Sequence, residues 1–154
     1  KTLEWHCRKC GTCCREIINE VPPYGRCGLT LLPEEIHLFP PESIKPFKAY
    51  DSVKTIAFYQ MVTQPCSKFN QTEKLCAIYD KRPQACRAFP FDLEKVSGTC
   101  PHTPTPRTGN VIVDTFRYPQ EFNAAEILDN INKKWLTRRK RYFFNLDLNR
   151  WVRL

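Results

Sequence analysis

Four of the chain's nine cysteines fall within eight residues: Cys7, Cys10, Cys13 and Cys14, in the string CRKCGTCC. Two thiolates separated by two residues can turn onto one metal ion. A third at the same gap enlarges the nest, and Gly11 eases the backbone where the turn is tight. Disulfides account poorly for such a cluster, because neighbours such as Cys13 and Cys14 bridge only under strain and C-x-x-C bridges are usually redox-active. Metal ligation is the chemistry this spacing points to.

A second group, Cys66, Cys76, Cys86 and Cys100, follows at intervals of ten, ten and fourteen, and Cys27 stands alone. Adjacent side chains point apart in most backbones, so Cys13 and Cys14 do not easily serve one ion together. The second group must then complete the coordination sphere. Cys7 and Cys10 are expected beside Cys76 and Cys86, since the cost of closing so long a loop grows only slowly with its length. The candidate ligands are therefore Cys7, Cys10, Cys13, Cys14, Cys66, Cys76, Cys86 and Cys100. The run C-x2-C-x2-C matches a bacterial ferredoxin up to its fourth member, where Ile17 stands, while Cys100-Pro101 resembles the ferredoxin's Cys-Pro ending. A zinc ribbon needs a second, separate C-x-x-C knuckle, which the chain lacks. His6 and His102 lie near cysteines but are unnecessary among so many thiolates, and His37 reads as solvated surface.

A more particular pattern does fit. CRKCGTCCR, then Cys66 ahead of Phe69, then CAIYDKRPQACRAFPF together resemble the CxxCxxCC family of zinc- or iron-chelating cysteine-cluster proteins. The motifs run from Cys7 to Phe91. The resemblance implies ligation by Cys7, Cys10, Cys13 or Cys14, Cys66, Cys76 and Cys86, with Tyr79, Arg82, Pro83 and Arg87 at its other characteristic positions. Cys27 lies outside the pattern. Tyr79, Arg82 and Arg87 are candidates for the surroundings of the bound group, because cations beside a thiolate lower its pKa and offset cluster charge. The ordinary alternatives are pairing of the arginines with Asp80, Asp92 or Glu94, and core packing for Tyr79. Thiolate-only ligation and the convergence of distant cysteines favour an iron–sulfur cluster, of the 4Fe–4S kind, with zinc as the alternative. The family is also similar in its cysteine core to flagellin lysine N-methylases, which makes a lysine N-methyltransferase an alternative reading. Only five glycines are present, however, and none forms a G-x-G-x-x-G turn.

Charge is unevenly spread. Residues 133–154 hold eight Lys and Arg against Asp147 alone, whereas the preceding 132 residues hold 16 against 15. Trp135, Tyr142, Phe143, Phe144 and Trp151 are interleaved with these cations. Such a mixture suits phosphates and unpaired bases, or an acidic protein, across Lys133 to Arg153; a helix with a solvated basic face is the plainer reading.

Several elements must position these groups. REIINEVP is a short helical or extended exit closed by Pro22-Pro23, and Cys27 falls in the Gly-flanked turn YGRCGL. Pro33-Glu34-Glu35 opens a short helix that Pro40-Pro41 stops. Residues 52–62 are β-prone, and Phe69 to Leu75 form two short strands around NQTEK. Asp80 is placed to cap a helix starting near Pro83 that carries Cys86. NVIVDTFRY, residues 110–118, alternates as a strand, after a proline-rich loop at 98–109. Pro119 opens the longest helix, reaching about Arg141, whose face of Phe122, Ala125, Leu128, Ile131 and Trp135 should bury against the strands around Ala57 and Val111, with Lys133, Lys134, Arg138 and Arg139 in solvent.

A chain of 154 residues with 42% hydrophobic and 26% charged residues suits one globular domain. The expected fold is α+β: a small, irregular, cysteine-rich, metal-organised domain with short strands, short helices and one longer C-terminal helix. Residues 1–132 are expected to form the metal-binding part, including the start of that helix, with 133–154 a basic aromatic extension of the same domain. No apolar run approaches the roughly 18 residues of a membrane span. An odd cysteine count behind KTLEWHCRKC, which has no apolar signal region, fits a reducing cytoplasm.

Overall fold

The computed structural model describes residues 17–73, 75–88 and 119–154. The nest Cys7 to Cys14, Cys100 with His102, and the expected strand at 110–118 with Val111 lie outside them. The architecture is α+β, as expected, with sheets, a few short helical turns and one long helix near the C-terminus.

Nine strands are described. Strands β1 (Asn19–Val21) and β2 (Gly25–Cys27) form a small hairpin. A five-stranded antiparallel sheet takes the order β3 (Leu29–Leu31), β5 (Thr55–Met61), β4 (Ile44–Tyr50), β8 (Arg141–Asn145), β9 (Arg150–Arg153). A third ladder pairs β6 (Phe69–Asn70) with β7 (Leu75–Cys76). Helices α1 (Gln84–Ala88) and α2 (Pro119–Leu136) pack together through Ala88, Ala124 and Ala125, small residues that let the two backbones approach.

Two apolar clusters make the interior. One gathers Ile17, Leu31, Phe39, Met61 and Cys66, with Phe69 and Ile78 against it. The other holds Cys27, Leu32, Phe47 and Phe58, and the helix face Ile127, Leu128 and Ile131 closes over it beside Ala57. Phe122 and Trp135 are both 1% exposed, while Lys133, Lys134, Arg138 and Arg139 reach solvent, as the periodicity of α2 requires. The Trp135 indole N–H donates to the Ala49 carbonyl at 2.9 Å and so ties helix to sheet.

Four local expectations are corrected. Cys27 lies in strand β2 and not in a turn: the turn comes earlier, with Tyr24 N–H donating to Val21 O at 2.7 Å, and Gly25 takes φ 78° to end it. Strand β5 begins at Thr55 because Asp51, Ser52 and Val53 turn with φ of 56°, 56° and 59°. The long helix stops at Leu136 instead of near Arg141. Continuing it would crowd Arg138, Arg139, Lys140 and Arg141 into one turn, where like charges repel, while RYFFN is strongly β-prone. Finally, α1 is capped by Glu35, not Asp80: Glu35 Oε2 accepts the Gln84 N–H at 2.8 Å while its Oε1 accepts the Leu32 N–H at 2.8 Å. One buried carboxylate thus joins the 3-10 turn Pro33–Leu38 to α1.

A bulge in β4 around Lys48 shifts its register against β5 and turns that lysine inward. Its Nζ lies 4.7 to 5.7 Å from the rings of Trp135, Tyr24, Phe47 and Phe58 and donates to Asn132 Oδ1 at 2.6 Å.

Candidate metal centre

Three of the candidate ligands, Cys66, Cys76 and Cys86, lie within a short run of tightly bonded backbone. Cys66 is 8% exposed. Its carbonyl accepts the Phe69 N–H at 3.0 Å, and its Sγ accepts the Lys68 N–H at 3.5 Å. A backbone N–H aimed at sulfur stabilises the thiolate form, the form a metal needs. The β6–β7 ladder then sets Cys76 opposite Phe69, and Ala77 N–H extends it by donating to Lys68 O at 2.7 Å. Asn70 makes the connecting turn by accepting the N–H groups of Thr72 and Glu73, both at 3.0 Å.

From Cys76 the chain passes through the 3-10 turn Tyr79–Lys81 into α1, which carries the half-buried Cys86. Two arginines close this loop. Arg87 donates from Nε to Arg82 O and from a terminal nitrogen to Asp80 O, both at 2.8 Å. Arg82 donates from Nε to Tyr79 O at 2.7 Å and from Nη1 to Cys86 O at 3.5 Å, with its guanidinium 3.9 Å from the centre of the Tyr79 ring. Both guanidinium groups therefore spend their donors on backbone carbonyls between Cys76 and Cys86. Neither pairs with a carboxylate among the described residues. Tyr79, at 36% exposed, is a lid on Arg82 and not a core aromatic.

The chain leaving the N-terminal cysteines also docks here. The N–H groups of Ile17 and Ile18 both donate to Gln64 Oε1, at 3.2 and 3.3 Å, and the Ile17 side chain shares an apolar cluster with Cys66. The sequence offers no sign of Gln64 in this role beyond a polar residue just ahead of Pro65-Cys66; the same holds for Glu35, whose acidic character signals only a helix start. Among the described residues no three His, Cys, Asp or Glu side chains converge to hold a metal. The donor chemistry nevertheless fits one, since thiol sulfurs, an N–H directed at sulfur and two fixed cations share one short segment.

Cys27 is of another kind. Its thiol is 4% exposed and contacts Gly25 O at 3.6 Å. Burial pushes its pKa up to about 11, the Lys48 ammonium opposing and Glu20 adding to the rise. It is a packed core thiol, consistent with its place outside the cysteine pattern.

The family model described as CxxCxxCC, a putative zinc- or iron-chelating domain, matches residues 6–103. No curated protein and no solved structure shows a significant match. Among the described residues no helix is long and apolar enough to cross a membrane. The matched segment takes in the nest, the Gln64–Cys66 junction and the arginine-closed loop: the chain belongs to the CxxCxxCC family, and it is a metal-binding protein.

Proposed function

We propose that the protein holds an iron–sulfur cluster through thiolates of the N-terminal nest, Cys7, Cys10 and one of Cys13 and Cys14, together with Cys66, Cys76 and Cys86, with Cys100 as a further candidate ligand. One observation carries this reading: Gln64 and Cys66 grip Ile17 and Ile18, only three residues beyond Cys14. Three residues span at most about 11 Å, so Cys14 is within that reach of the Ile17 backbone, which supports the joining of the nest to Cys66. Glu35 restrains the start of α1, and Arg82 and Arg87 hold the carbonyls between Cys76 and Cys86, so the second set of thiols is presented on fixed backbone. The two guanidinium charges offset the negative charge that several thiolates bring together. A bound cluster would supply one-electron transfer or a structural tie, and the chain's own contribution is to orient thiolates and shield them.

The reading favours iron over zinc because the donors are all sulfur and come from both ends of a long segment. Elemental analysis of anaerobically purified protein, with its visible absorption spectrum, tests it. Iron and acid-labile sulfide in a brown protein are expected. Colourless protein with stoichiometric zinc would replace the cluster by a structural zinc site with the same ligands.

A further inference from the structure

Of the cations near the C-terminus, Arg141, Arg150 and Arg153 are built into the β8–β9 edge of the main sheet. Phe143 is buried on the inner face of β8, with its ring 5.2 Å from that of Tyr24. Strand alternation sends Tyr142 and Phe144 to the opposite face. The register sets Arg153 beside Tyr142 and Trp151 beside Phe144, and the last pair of rings meets edge to face at 5.5 Å. Tyr142, Phe144 and Trp151 are all half-exposed, so their ring surfaces are partly open to solvent.

Cations gather at one end of this aromatic face. Leu154 N–H donates to Arg141 O at 2.9 Å, which brings Arg153 alongside the exposed Arg139 and Lys140 of the turn before β8. Asp147, the lone acid of residues 133–154, is already neutralised by Arg26 at 2.8 Å. A positive patch leading onto a row of half-open rings matches a flexible polyanion that carries flat, unpaired rings.

We propose that the outward face of the β8–β9 hairpin binds single-stranded nucleic acid, with Arg139, Lys140 and Arg153 on phosphates and Tyr142, Phe144 and Trp151 as a stacking platform. Charged residues on an edge strand also prevent pairing with other chains, and that role accounts for Arg150 and Arg153. It does not account for three half-open aromatics on one face. A duplex hides its base faces and cannot use them. The inference is independent of which metal the cysteines hold.

The test is fluorescence anisotropy of the full-length, metal-loaded protein with labelled oligo(U) and oligo(dT) of about a dozen nucleotides, beside a duplex of the same length. Binding of one or both single strands in preference to the duplex is expected, and the better strand tells RNA from DNA. Affinity should fall with salt by about 0.7 log units per log unit for each phosphate contacted. The variant R139E/K140E/R153E, which alters only exposed side chains, should weaken binding at least tenfold with unchanged metal content and melting temperature. Trp151→Leu should weaken it about fivefold at any salt. Equal or tighter binding of the duplex, an unaltered affinity of the triple variant, or capture of polyglutamate in place of the oligonucleotides would overturn the proposal.

Discussion

Burial pushes the pKa of the Lys48 amine down to about 8, with nearby Cys27 acting in the opposite sense. The facing groups are Tyr24 and Cys27 from the first hairpin and Asn132 and Trp135 from α2, while Glu20 acts on Cys27 and Arg141 on Tyr24. A lysine that binds its proton more weakly when folded destabilises the fold while it is charged in both states. Between pH 8 and the ordinary 10.5 the unfolded chain holds the extra proton, so stability rises with pH through that window, by about 3 kcal/mol if Lys48 acted alone. Cys27 works against it: its folded pKa is raised from 9.0 to about 11, so its contribution is whole below pH 9 and is lost by pH 11. Tyr24, raised mainly by its burial, removes stability at the alkaline end as well. Chemical denaturation of reduced protein should therefore show stability climbing from pH 8 to about 9 and then levelling. Lys48→Met should abolish the climb, and Cys27→Ala should extend it towards pH 10.5. No residue pattern announces this lysine, because alternation alone would place it by parity and the bulge changes the parity. Arg82 and Arg87, by contrast, were legible as neighbours of Cys86. Their contact with carbonyls was not, since a sequence does not say whether a guanidinium will find carboxylate or backbone. Arg87→Lys cannot reproduce the paired donation to Arg82 O and Asp80 O, and metal affinity measured by competition with a chelator should fall about tenfold.

Short connections decide how the elements sit. The β4–β5 turn holds Asp51, Ser52 and Val53 all at positive φ, a region that a β-branched residue such as Val53 adopts at real cost. Val53→Gly should raise stability by about 1 kcal/mol, read as a higher denaturation midpoint with unchanged slope. Gly28 poses the opposite constraint. A Cβ there would lie 1.9 Å from the Met61 carbonyl oxygen, and its N–H already donates to Gln60 Oε1 at 2.8 Å. Gly28→Ala must push β3 away from β5, and a loss of several kcal/mol is expected on thermal unfolding. The Phe69 to Leu75 hairpin was readable from its polar NQTEK centre, and the end of the 3-10 turn from Pro40-Pro41. The β8–β9 hairpin was not. The α2 periodicity runs smoothly towards Arg141, and what stops it is the pairing of β8 with β4, a contact between residues almost a hundred positions apart.

At the scale of the molecule, the five-stranded sheet with α2 supplies a core of its own, and the cysteine-bearing block leans on its β3–β5 edge through Leu31, Met61 and Cys66. Chelation of the metal should accordingly loosen the two parts unequally. Amides of residues 66–88 should exchange faster by hydrogen–deuterium exchange, while those of β4 and β5 keep their protection. The class of fold was legible in the β-prone runs and the periodicity of the long helix, and the metal-binding family in cysteine spacing, because ligand geometry constrains positions along the chain as well as in space. The tether through Gln64 was not, as one amide side chain leaves no periodic trace. The measurement that bears most directly on a cysteine-held metal is the metal-to-protein ratio across all nine single Cys→Ser variants, each purified without oxygen. Ratios should collapse for Cys7, Cys10, Cys66, Cys76 and Cys86, fall for one of Cys13 and Cys14, and stay at the wild-type value for Cys27→Ser. An unchanged ratio at all nine positions would contradict the account.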